Sequence, residues 1–151
     1  MSVMLEPDSE AAWTGSVAEF VERILDYLHK ERWDLSVLFC TEAFIRNLNA
    51  QFRSKDEATD VLSFPFGEWI KENGEDYFLA GDIVIALPVV EQNAADFGVS
   101  LREEVCRLLI HGVLHLDGAD HTTNDPSEPM LMVQETILAA LGDSISIKTK
   151  E

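Results

Sequence analysis

Three of the chain's four histidines fall in one short run, HGVLHLDGADH, residues 111 to 121. His111 and His115 stand four apart. On a helix, at about 100° per residue, they lie about 40° apart around the axis and one turn along it. Both imidazoles then project the same way, as two ligands of one ion must. Gly118 is a natural helix stop, after which the chain can turn so that His121 meets the same ion from a loop. Three neutral imidazoles with an open fourth position describe a catalytic zinc site with one Zn2+. A closed structural site wants a fourth protein ligand, commonly Cys, and the run has none. A histidine on an apolar helix is more often a satisfied core residue than a ligand. Here, however, Leu108, Leu109, Ile110, Val113, Leu114 and Leu116 surround the pair. A helix apolar nearly all round is buried, and two buried imidazoles without partners are costly. A bound ion removes that cost. His29, among Asp26, Lys30 and Glu31, reads as a solvated helix residue.

The spacing H-x3-H-x2-G-x2-H is also that of the metzincin proteases. Zinc proteases with an HExxH motif carry a glutamate beside the first histidine as general base, and Gly112 stands there instead. Peptide hydrolysis by that route is disfavoured. A nucleophile must be activated by another carboxylate, by the substrate, or by zinc itself, which lowers the pKa of water to about 7. Asp117 reads as a surface charge at a helix end. Asp120 reads equally as a surface charge or as a partner behind the ligands that orients a histidine ring.

The elements that must position these groups follow from pattern. Ser16 and Glu19 form a capping box opening a helix over 17–30, with Phe20, Ile24, Leu25 and Leu28 as its apolar stripe. Residues 35–40 (LSVLFC) predict a strand. Thr41 caps a helix running to about Phe52, with Phe44, Ile45 and Leu48 inward. Residues 59–66 (TDVLSFPF) predict a strand that Pro65 ends or places at an edge. The polar stretch 69–76 reads as a hairpin loop, and 78–87 (FLAGDIVIAL) as a central strand. Pro88 opens a short helix ending near Gly98. Ser100 and Glu103 cap the histidine helix, which runs to Asp117. Ser127 and Pro129 open a last helix closing at Gly142, and residues 3–5 suit a further strand. The fold class is α+β: a single domain over 1–151 with a small mixed sheet of about four strands, about five helices, and the metal site at the end of a central helix.

With 151 residues and 46% hydrophobic composition, the chain suits one domain with its own core. No apolar run is long enough to span a bilayer. The first residues, MSVMLEPDSE, lack the basic and apolar regions of a signal peptide, so a cytoplasmic location is expected. Cys40 and Cys106 are too few for a disulfide framework and read as small buried thiols. Eleven basic against 28 acidic residues leave a net charge of −17. This speaks against broad, nonspecific nucleic-acid binding, though not against a local basic groove or a metal site that brings its own positive charge.

Beyond the histidine run, the residues resemble a known family. HGVLHLDGADH is similar to the H-G-x-L-H-L-x-G-Y-D-H signature of the YbeY-type rRNA maturation factors. NAQFRSKDEATDVLSFPF (49–66) resembles that family's second motif, and LAGDIVIA (79–86) its L-G-D-I-x-I strand. Ala119 departs from the usual Tyr, and Ala80 precedes Gly81–Asp82 within an otherwise familiar pattern. The resemblance implies a metal-dependent, single-strand-specific endoribonuclease that matures the small-subunit rRNA 3′ end and acts in ribosome quality control. It implies His111, His115 and His121 as zinc ligands and Arg53 as the functional arginine. A guanidinium suits that role, since it grips a phosphodiester in two-pronged fashion. Arg46 and Lys55, close by in sequence, join Arg53 as a candidate phosphate-binding patch, or are plain solvated charges. Expected partners are single-stranded rRNA and the ribosome or its basic proteins. Two rival readings stand beside this one: a non-catalytic ribosome assembly factor with a structural zinc, and a zinc metalloprotease or amidase.

Overall fold

The computed structural model describes residues 2–5 and 14–142; the rest of the acidic N-terminal stretch lies outside the described residues. In chain order the elements are β1 (Ser2–Leu5), α1 (Thr14–Tyr27), β2 (Trp33–Cys40), α2 (Glu42–Arg53), β3 (Val61–Glu72), β4 (Glu75–Ala86), α3 (Leu87–Phe97), α4 (Leu101–Leu116) and α5 (Pro129–Leu141). The four strands form one mixed sheet in the order β1-β2-β4-β3. β1 and β4 both run parallel to β2, while β3 pairs antiparallel with β4. The α+β class, the four strands and the five helices agree with the sequence reading.

Alternation along the strands sends side chains to two unequal cores. Leu35, Val37 and Phe39 of β2 and Ile83 and Ile85 of β4 join the larger core, with Phe20 and Ile24 of α1 and Leu109, Ile110 and Val113 of α4. Cys40, Leu62, Val84 and Ala86 go to the opposite face, where Ile45 of α2 covers them. α4 is the central helix, with ten of its 16 residues buried. That burial is what makes the polarity of His111 and His115 conspicuous. Its Gly112 lies flat against β4: a Cβ there would come within 2.8 Å of the Ile83 side chain. Both cysteines are buried, and burial pushes the Cys106 thiol up to about 11. No helix among the described residues is long and apolar enough to cross a membrane.

Local chemistry accounts for where the elements stop. Thr41 Oγ1 accepts from the Phe44 N–H at 3.2 Å and Ser100 Oγ from the Glu103 N–H at 3.0 Å, as N-caps do. α1 departs from expectation: it begins at Thr14 and ends at Tyr27, so Ser16 lies inside the helix and does not cap it. At α5 the cap position belongs to Glu128, not Ser127, with Pro129 in the first turn as expected. β3 runs on through Pro65 to Glu72, which an edge strand tolerates, with an irregular register between Pro65 and Glu68. The expected loop over 69–76 is therefore mostly ladder, closed by a two-residue turn at Asn73 and Gly74, both at positive φ.

Candidate metal centre

α4 carries His111 and His115 on one face, their ring centroids 4.5 Å apart. Gly118, at φ +94°, turns the chain after the helix end at Asp117. The following loop brings His121 to 5.2 Å from the His111 ring and 5.5 Å from the His115 ring. One ligand atom from each histidine lies within 4.8 Å of the other two, and among the described residues no other group of this kind occurs.

Hydrogen bonding assigns the protons. His111 Nδ1 faces Gln134 Oε1 at 2.7 Å, His115 Nδ1 the Ala119 carbonyl at 3.0 Å, and His121 Nδ1 the Thr123 carbonyl at 2.8 Å. An oxygen can only accept here, so each Nδ1 carries the hydrogen and donates it. Burial also pushes the His111 and His115 imidazoles below their ordinary value, favouring the neutral rings. A neutral ring has one N–H, so the Nε2 atoms are left as bare lone pairs. Those of His111 and His115 face each other at 3.0 Å. Two lone pairs repel unless a cation lies between them. Two nitrogens bound to one tetrahedral zinc at about 2.0–2.1 Å would be about 3.3 Å apart. The donor set therefore fits a divalent ion of zinc's type, and no fourth side chain among the described residues closes the shell.

The three histidines line an open cleft of about 860 Å³. Val61, Ser63 and Pro65 of β3 line one side, and Asn93 and Phe97 of α3 also border it. Arg53, the last residue of α2, reaches this cleft and donates from Nη2 to the Ser63 carbonyl at 3.3 Å. Asp60 contributes a carboxylate that accepts from Asn93 Nδ2 at 3.3 Å.

Comparison with known proteins places this arrangement. The family described as Endoribonuclease YbeY matches residues 5–142. The chain belongs to the YbeY endoribonuclease family. It is similar to the Endoribonuclease YbeY of Treponema pallidum (strain Nichols), 49% identical over 140 residues, which cover 92% of this chain and 88% of that one. The Persephonella marina YbeY is 38% identical over 135 residues, 89% and 87% of the two chains. Among solved structures, the solution structure of TM1509 from Thermotoga maritima aligns with a TM-score of 0.61 and 28% identity, covering 94% of this chain and 89% of that one.

Within the YbeY framework the expected site residues separate. His111, His115, His121 and Arg53 come together in one cleft. Arg46 does not join them: its guanidinium pairs with Asp56 at 2.9 Å, in a separate shallow pocket with Glu42 and Asn47. Lys55 is exposed and does not line the cleft. Asp120 lines the cleft rim, but its Oδ1 accepts from the His121 backbone N–H at 2.8 Å and lies 4.0 Å from His115 Nδ1. The ring of His115 is oriented by the Ala119 carbonyl instead. Position 119 contributes only its backbone carbonyl to that bond, so Ala in place of the family's Tyr leaves it available.

Sequence reasoning missed Gln134. It is only 7% exposed. Its Oε1 accepts from His111, while its Nε2 donates to Glu135 Oε2 at 3.1 Å. Arg107 holds Glu135 in turn through Nε and Nη2, at 3.0 and 3.1 Å, and reaches Glu104 at 2.6 Å. A glutamine at helical spacing with Met130 and Ile137, both buried, was the available signal. Asp60 lies inside the 49–66 motif, where nothing in the sequence sets it apart from its neighbours.

Proposed function

We propose that this chain is a zinc-dependent endoribonuclease of one domain, residues 1–151, that cuts unpaired RNA. The observation that carries the reading is the convergence of three unprotonated imidazole nitrogens in a cleft that also holds Arg53. Its YbeY relatives are named endoribonucleases. His111, His115 and His121 would hold the ion. Bound zinc supplies a Lewis acid for a phosphoryl oxygen and a nucleophile near neutral pH.

The chain's own residues account for the rest. Three neutral ligands leave the ion's positive charge uncompensated, which favours an anionic substrate. Arg53 keeps one N–H on the Ser63 carbonyl and has four others for phosphate oxygens, since a guanidinium has five. Held this way, it orients the phosphodiester and offsets charge growing on its oxygens. Gly112 is pressed onto Ile83, so a protease-type glutamate does not fit beside His111, and the peptidase rival lacks the base of the HExxH route. The open ligand position speaks against a purely structural metal.

The family context and the acidic surface extend the proposal to small-subunit rRNA maturation and ribosome quality control in the cytoplasm. Basic ribosomal proteins suit a chain of charge −17 as docking partners. The test is metal analysis and RNA cleavage on the same samples of wild type and His115→Ala. The variant should lose both bound zinc and cleavage. Cleavage retained without metal overturns the proposal.

A further inference from the structure

An acidic RNA-binding enzyme has a binding problem that the cleft itself addresses. Phosphate contacts by Lys and Arg usually supply most of the attraction to nucleic acid. Here the cleft offers one guanidinium, Arg53, against the carboxylates of Asp60 and Asp120. The remaining attraction has to come from something other than cationic side chains.

Phe97 lines the same cleft and is 67% exposed, more than any other large apolar side chain among the described residues. The other strongly exposed aromatics differ. Phe52 packs edge-on against Phe64 at 5.5 Å and Trp69 against Phe78 at 5.1 Å, and Phe66 lines a separate pocket with Ser36 and Asp82. Among the described residues no ring contacts Phe97. Its backbone is nonetheless anchored. Phe97 ends α3, whose Leu87, Val90 and Ala94 are buried, and Gly98 caps the helix with N–H bonds to the Ala94 and Ala95 carbonyls. An exposed ring without an aromatic partner, on a capped helix end that lines the cleft, is free to stack on a planar ligand.

We propose that Phe97 is a nucleobase-stacking platform, holding an unpaired base of the strand whose phosphate lies between Arg53 and the metal centre. This rests on the RNA-cleaving reading and adds to it a subsite for the base. Stacking tolerates any base, because each presents a π-face, and it requires an unpaired one. A duplex would keep its bases stacked on one another and out of reach. The platform thus supplies both affinity without basic residues and a preference for single strands.

The test uses zinc-loaded full-length protein and fluorescence anisotropy with a short labelled oligoadenylate, 2′-O-methylated so that it lacks the 2′-hydroxyl. A base-free phosphodiester strand of equal length serves as the second probe. Phe97→Ala should weaken oligoadenylate binding about 5- to 150-fold, the range for loss of one base–aromatic stack. It should leave base-free strand binding, zinc content and melting temperature unchanged, and Phe97→Trp should restore binding. Equal oligoadenylate affinity in wild type and Phe97→Ala overturns the platform while leaving the RNA reading intact. Equal loss on the base-free strand overturns it too, by showing a general disturbance of the cleft. A wild type that binds neither probe nor cleaves RNA defeats the underlying reading together with the platform.

Discussion

Replacing Gln134 with Leu removes one acceptor from a buried donor, and the metal-free and metal-bound proteins should feel this differently. Without metal, the His111 ring can move its proton to Nε2 and donate it to His115 Nε2, 3.0 Å away, leaving Nδ1 bare against the leucine. With metal bound, Nε2 must stay unprotonated, so the hydrogen is confined to Nδ1 with nothing to accept it. Gln134 is 7% exposed, so water does not readily take its place. An unsatisfied buried donor costs about 1–3 kcal/mol, and most of the cost falls on the bound state, because the metal-free ring offsets its bare Nδ1 with the new bond to His115. Zinc affinity should therefore drop about 5- to 150-fold, in line with the about 10- to 100-fold typical of such outer partners. The assay is chelator competition for zinc, paired with thermal unfolding of the stripped protein. The stripped variant should melt close to wild type, while the rise in melting temperature on adding zinc should shrink. Gln134→Glu keeps an acceptor and should recover affinity. Unchanged zinc affinity in Gln134→Leu, or a fall in stripped-protein stability that accounts for the whole loss, refutes the reasoning.

Burial pushes the His111 and His115 imidazoles below the ordinary 6.5, so on acidification the unfolded chain takes up protons first. The metal-free protein should hold this share of its stability above about pH 6.5 and lose it as pH falls from there through the folded-state values. Urea midpoints of chelator-stripped protein across that window should decline, less steeply in His115→Ala; a steeper decline in the variant contradicts the assignment. Arg53→Ala should lower kcat for RNA about 10²–10³-fold with bound zinc unchanged. Arg53→Lys should recover only part of it, because a lysine cannot make the two-pronged contact; loss of zinc in either variant would move Arg53 into a structural role. Arg46→Ala should leave cleavage and melting temperature nearly unchanged, since its exposed pair with Asp56 lies outside the cleft and is screened by solvent; a marked fall in cleavage would restore Arg46 to the phosphate site.

What could be read from the sequence was whatever local chemistry decides. Thr41, Ser100, Pro88 and Gly98 act within a turn of their own positions, and α2, α3 and α4 have the expected limits within a residue or so. The hairpin of β3 and β4 was legible, but the reach of its ladder was not, because much of its outer part is exposed and no alternation marks it. The Asn73–Gly74 pair was the overlooked sign. The histidines were legible because one helical turn and one helix-breaking glycine suffice to bring them together. Gln134 was not, because it meets His111 across 23 positions, through the packing of α5 on α4. Arg46 misled through nearness in sequence: seven residues along a helix carry it about 10.5 Å down the axis from Arg53, where Asp56 is its neighbour instead.

The flat seat of Gly112 on Ile83 also bears on how such sites diverge. Three histidines at this spacing are shared with peptide-cutting enzymes, and conversion between the two trades looks like a single codon change. In this scaffold the position beside the first ligand is a packing surface, with 2.8 Å between a would-be Cβ and the neighbouring strand's isoleucine. A glutamate there would have to pry the helix off its sheet before it could meet any water. In this fold the two chemistries are thus kept apart by the contact of one helix with one strand, and an engineer crossing between them must rebuild that seam first.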